Sequence, residues 1–102
     1  MIIDESFGYD GYSYELIRLY LAEGRIVRVR VRRHADQQQS LAVADVLTPV
    51  LTWTELAEAP ASSWHEATPP RRAATAGVLA PIADRLLTRA AVILSRHATG
   101  PH

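Results

Sequence analysis

The sequence predicts an α+β fold: an antiparallel sheet of three or four strands in meander order, with a C-terminal helix packed on one face. Three observations point there. Tyr14–Arg33 holds two runs rich in β-branched and aromatic residues on either side of Ala22-Glu23-Gly24. Leu79, Ile82, Leu86, Ala90 and Ile93 recur at three- and four-residue steps. Between them, Pro60, Ser62, Ser63, Pro69 and Pro70 mark a crossing from sheet to helix.

The elements follow in order. Residues 1–13 are acidic and aromatic, punctuated by Gly8 and Gly11, and read as an irregular N-terminal arm. Residues 14–57 carry the sheet. Two registers are open to its first hairpin. A two-residue loop, Glu23-Gly24, pairs Leu19 with Arg28 and Arg18 with Val29, mixing apolar and charged residues on both faces. A three-residue loop, Ala22-Glu23-Gly24, pairs Ile17 with Val29 and Leu19 with Val27. Ile17, Leu19, Val27, Val29 and Val31 then form one apolar face, with Tyr14, Leu16, Arg18, Tyr20, Arg28, Arg30 and Arg32 on the other. A one-residue slip turns every side chain over, so the hydrophobic pattern favours the second register. Gly24 then takes the left-handed conformation that closes such a loop.

His34–Ser40 is a polar connection with three successive Gln. Leu41–Leu47 reads as a strand, because Val43 and Val46 are β-branched and Thr48-Pro49 ends it abruptly. Thr52–Ala57 has two readings. It pairs back on the third strand, or Thr52-Trp53-Thr54-Glu55 serves as the capping box of a short helix. Residues 58–70 form the linker, with Trp64 as an anchor on the domain. Residues 71–98 are helical, with Thr68 as N-cap and Pro69 at the first helical position. Pro81 removes the hydrogen bond to the Gly77 carbonyl, which predicts a kink or a break. Residues 99–102 form a frayed tail.

Length and composition bound the rest. The 102 residues suit one domain, and an apolar share of 48% suits a globular one. The chain has no Cys, which excludes disulfides, thiol catalysis and cysteine-ligated zinc. No basic start and apolar stretch marks a signal peptide, and no run approaches the roughly 20 apolar residues that span a bilayer, so the expectation is a cytoplasmic protein without a membrane partner. All 11 basic residues are Arg; Lys and Asn are absent, which points to a high-GC, bacterial genome. Eleven acidic residues balance them, and this zero net charge disfavours a bulk attraction to phosphate.

No motif assigns a reaction. His34, His65, His97 and His102 lack metal-site spacing, and His65-Glu66 has no second His four residues on. Ser63, His65 and Glu66 are neighbours in sequence, which does not make a triad, and no Gly-x-Ser-x-Gly elbow exists. Gly8-Tyr9-Asp10-Gly11 lacks the Lys and Ser/Thr of a phosphate loop. We therefore assign no catalytic residue, metal or cofactor.

The Arg/Tyr face of the hairpin is the candidate binding surface: Tyr14, Arg18, Tyr20, Arg28, Arg30 and Arg32. Tyr and Arg anchor protein interfaces. They also stack on bases and pair with phosphates, which suits single-stranded nucleic acid. An ordinary solvated face, with Arg stems covering Leu16, explains the same pattern. Val78, Leu87 and Val92 add apolar surface to the helix beyond its main stripe, which suits a homodimer as well as burial in a monomer core. The leading expectation is a small non-catalytic interaction or regulatory protein that self-associates. The alternatives are a nucleic-acid-binding module and an enzyme subunit completed by a partner.

Overall fold

The computed structural model describes residues 1–99, with side chains through Arg96. Strands β1 (Ile2–Asp10), β2 (Ser13–Ala22), β3 (Arg25–His34), β4 (Leu41–Leu47) and β5 (Trp53–Glu58) precede one helix, α1 (Ala76–Thr99). The strands form a single antiparallel meander in chain order. The helix lies across β2–β5 on one face. This is the predicted α+β architecture with one strand more than expected.

The extra strand is β1, read from sequence as an irregular arm. Its polar and acidic residues carry little strand signal, so pairing with β2 decides it. Gly11, at φ +56°, begins the two-residue turn that joins them. A register shift between Ile2 and Asp4 marks a bulge near the start of the strand.

The β2–β3 register is the one the hydrophobic pattern disfavoured. Ala22 pairs with Arg25, Leu19 with Arg28 and Arg18 with Val29, around the two-residue loop Glu23-Gly24. Both loop residues have positive φ, 52° and 71°, the signature of the turn whose twist matches the strands. Tyr14, Leu16, Arg18 and Tyr20 therefore share the helix-facing side with Val27, Val29 and Val31, and all seven are buried. Ile17 and Leu19 go to the other side. The sequence argument gave too much weight to excluding a charge from the core face. Arg18 enters it because partners neutralise it there.

Alternation continues outward. Ala42, Ala44 and Val46 of β4 and Ala57 of β5 complete the core side, against Leu79, Ile82, Ala83, Leu86, Ala90 and Leu94 of α1. Small residues on β4 let the helix approach closely. Of Thr52–Ala57, residues 53–57 belong to β5 and the capped-helix reading falls. Trp64 anchors the linker, 4% exposed, its Nε1 donating to the Ala59 carbonyl at 3.2 Å.

The helix starts later than predicted. Arg71–Ala73 is a separate 3₁₀ turn, and Ala74 is extended, at ψ 142°. Thr68 is no N-cap; its Oγ1 donates to the His65 carbonyl at 2.6 Å. α1 is assigned as one helix through Pro81. The break falls at Ala74-Thr75, and Pro81 sits within the second turn, where only the carbonyl of Gly77, in the first turn, loses its partner. The predicted tail at 99–102 divides: Thr99 ends α1, and 100–102 lie outside the described residues, as do the side chains of His97 and His102.

Candidate functional site

The sheet has one face under α1 and one with no element over it among the described residues. This division splits the predicted site. Tyr14, Arg18 and Tyr20 lie under the helix, and Arg28, Arg30 and Arg32 lie on the open face. The six do not form one surface, because in this register even-numbered residues of β2 stand opposite odd-numbered residues of β3, so Arg28 and Arg30 share the side of Leu19 and Ile17 rather than that of Arg18 and Tyr20.

Under the helix the three residues are structural. The Tyr14 hydroxyl donates to the Pro69 carbonyl at 2.7 Å. Arg18 donates through Nε to Glu5 Oε1 at 3.0 Å, and through Nη1 to Asp84 Oδ1 and to the Tyr20 hydroxyl, both at 3.0 Å. It thus ties β1, β2 and α1 together. Burial pushes the phenols of Tyr14 and Tyr20 above their ordinary value, since a phenolate there loses its water.

The open face centres on a cluster that sequence reasoning missed. Asp45 of β4 stands opposite Arg28 and is 5% exposed, although no described element lies over this side of the sheet. Its Oδ2 accepts from Arg28 Nη2 at 3.1 Å and from Arg30 Nη2 at 3.3 Å. Arg28 also stacks over the Trp53 ring at 4.2 Å. Two guanidiniums and an indole thus screen one carboxylate from water. The Arg30 Nε is buried without a hydrogen-bond partner. The one available signal for Asp45 was its place as the sole charge within Leu41–Leu47.

Around the cluster the open face is apolar. Ile17, Leu19 and Val43 are half-buried, while Leu21, Ile26 and Trp53 are exposed at 42%, 37% and 37%. Arg stems shield the first group in part. Arg32 stands opposite Glu15 and makes no ion pair among the described residues. Beside it a shallow depression of about 370 Å³ is lined by Ser6, Gly8, Ser13, Glu15 and Ile17.

The remaining sequence candidates disperse. His65 is buried and its Nε2 meets the His34 carbonyl at 2.8 Å, while Ser63 Oγ donates to the Pro60 carbonyl and Glu66 is exposed. These contacts do not make a nucleophile–base pair. Among the described residues no three His, Asp or Glu side chains are grouped to hold a metal ion, and no helix is long and apolar enough to cross a membrane. Of the residues that suggested a dimer, Val78 and Leu87 pack half-buried against the core while Val92 stays 44% exposed, so the fold covers part of that apolar helix surface.

Comparison with known protein families, with curated proteins and with solved structures found no match.

Proposed function

We propose that the protein is a small non-catalytic interaction protein that self-associates, and that the open face of its sheet is the docking surface for a protein partner. One observation carries this reading: the Arg28/Arg30–Asp45 cluster with Trp53, set among Ile17, Leu19, Leu21, Ile26 and Val43 on a face that no described element covers. Antiparallel sheets that face water usually alternate apolar-in and polar-out. This one carries apolar residues on both sides. Arginine and tryptophan beside aliphatic surface is the composition of interface anchors. The preformed ion pairs limit the entropy lost when the arginines are covered. Arg32, lacking an ion pair, suits a carboxylate on the partner.

Single-stranded nucleic acid is the competing ligand. It has less support, because Tyr14 and Tyr20 lie under the helix and cannot stack on bases, and because Asp45 shares the charge of Arg28 and Arg30. Two experiments separate the readings. Affinity capture with wild type is compared with capture by an Arg32→Ala/Trp53→Ala variant, and a protein lost only with the variant supports the docking face. Titration with labelled single strands at low salt, where charge attraction is strongest, should show no binding. Tight, salt-sensitive binding to the strands, abolished in Arg28→Ala/Arg32→Ala, would replace the protein reading.

A further inference from the structure

We propose that two copies of this chain pair through β1, joining their sheets into one continuous antiparallel sheet across a two-fold axis at Ser6. The inference deepens the self-association in the reading above and is independent of the open face.

β1 is nine residues long and, among the described residues, pairs with β2 on one side and with no strand on the other. The helix lies chiefly across β2–β5; on that side of β1 Phe7 packs against the core and the Tyr9 hydroxyl donates to the Ala74 carbonyl at 2.8 Å. All its residues are exposed except Phe7, which is half-buried. Ile2 and Ile3 stand 47% and 52% exposed. A long edge strand with exposed apolar residues is a template for another strand. Its protections are three acidic residues and a bulge near the N-terminal end, and it has no Pro.

The choice of a second copy rests on charge and register. The pair Asp10–Ser13 closes the two-residue β1–β2 turn, and paired residues alternate between hydrogen-bonded and non-hydrogen-bonded types. Gly8 and Ser6 therefore direct their amides and carbonyls to β2, while Glu5, Phe7 and Tyr9 direct theirs outward. A two-fold axis at Ser6, the midpoint of Ile2–Asp10, sets Glu5 opposite Phe7 of the second copy as a hydrogen-bonded pair. It also sets Asp4 opposite Gly8; the bulge between Ile2 and Asp4 turns Ile2 to the side of Tyr20, so the regular pairing runs from Asp4 to Gly8. Asp4 and Glu5 thus meet no acidic residue, and Asp10 lies beyond the regular stretch. Moving the axis to residue 5 opposes Glu5 to itself, and moving it to residue 7 opposes Asp4 to Asp10. Of these three pairings, the one centred on Ser6 avoids like charges. Self-complementarity of this kind is what an isologous dimer requires.

The register makes a sharp test possible because the chain contains no cysteine. Ser6 faces its own copy as a non-hydrogen-bonded pair, with Cα atoms about 4.5 Å apart, within disulfide range. Ser6→Cys should oxidise to a linked dimer at concentrations where a control, exposed Ser62→Cys, stays mostly monomeric. Light scattering of wild type at micromolar concentration should give twice 11.3 kDa. Ser6→Asp should weaken the dimer about tenfold, because two carboxylates then oppose each other at the axis. Its melting temperature, measured at a concentration where both proteins are monomeric, should match wild type. A wild-type monomer at every concentration would overturn the proposal together with self-association. A dimer that Ser6→Asp leaves intact, with no preferential linking of Ser6→Cys, would overturn the β1 interface alone. An Arg32→Ala/Trp53→Ala variant should dimerise normally, and loss of dimer there would move the interface to the open face.

Discussion

Arg18 and Asp84, 66 residues apart, meet at 3.0 Å between sheet and helix, and the same guanidinium nitrogen donates to the buried Tyr20 hydroxyl. The pair is unequal: the Arg18 side chain is 11% exposed and that of Asp84 67%. The cation has therefore lost most of its water, while the carboxylates of Asp84 and Glu5 keep much of theirs.

That asymmetry predicts which deletions matter. Glu5→Ala/Asp84→Ala leaves a buried cation without a counter-charge and should cost about 3 kcal/mol or more. Arg18→Met leaves two carboxylates that water can hydrate, and its main cost is the orphaned Tyr20 hydroxyl, about 1–3 kcal/mol. Adding Tyr20→Phe to Arg18→Met should recover most of that loss. Urea unfolding of the four proteins checks the order, and a double carboxylate deletion milder than Arg18→Met would refute the argument.

The hairpin register predicts opposite outcomes for neighbours. Leu16 is fully buried under the helix, and Leu16→Ala should cost about 2–5 kcal/mol. Ile17 points to the open face, and Ile17→Ala should cost roughly 1 kcal/mol or less. The three-residue-loop register reverses this order. Thermal melts of the two variants therefore report which side of β2 faces the core.

Glu23 occupies a left-handed backbone conformation, φ 52°, that favours Asn or Gly. Glu23→Asn creates an Asn-Gly turn and should stabilise the fold by about 0.5–1 kcal/mol. A rise in denaturation midpoint with unchanged slope is the expected result.

The buried phenols predict alkaline sensitivity. Tyr14 and Tyr20 have folded-state pKa values raised above the ordinary 10.0. The folded state thus holds their protons more tightly than the unfolded state does. This stability is fully present below pH 10 and is lost as the pH rises through the elevated folded values. Stability measured across that window should fall for wild type and fall less steeply for Tyr14→Phe. Equal slopes would show that Tyr14 ionises in the folded state without penalty.

Local features of the sequence went far toward the fold. The β-branched runs around Gly24, the helical spacing of Leu79, Ile82, Leu86 and Ala90, and the Trp64 anchor all report short-range preferences or burial of large apolar groups. β1 escaped notice because Asp4, Glu5, Gly8 and Asp10 interrupt its Ile, Phe and Tyr residues, and its hydrogen bonds depend on β2. The open-face cluster escaped because Asp45 meets Arg28 only once β4 lies beside β3, 17 residues along the chain.

The sequence by itself determined the α+β class, the meander order and the burial of Val27, Val29 and Val31, since periodicity and turn residues act within a few positions. Tertiary structure alone decided which side of β2 is buried. A charge such as Arg18 is excluded from a core face only while it lacks a partner, and Glu5 and Asp84 reach it from β1 and α1 after the chain has folded.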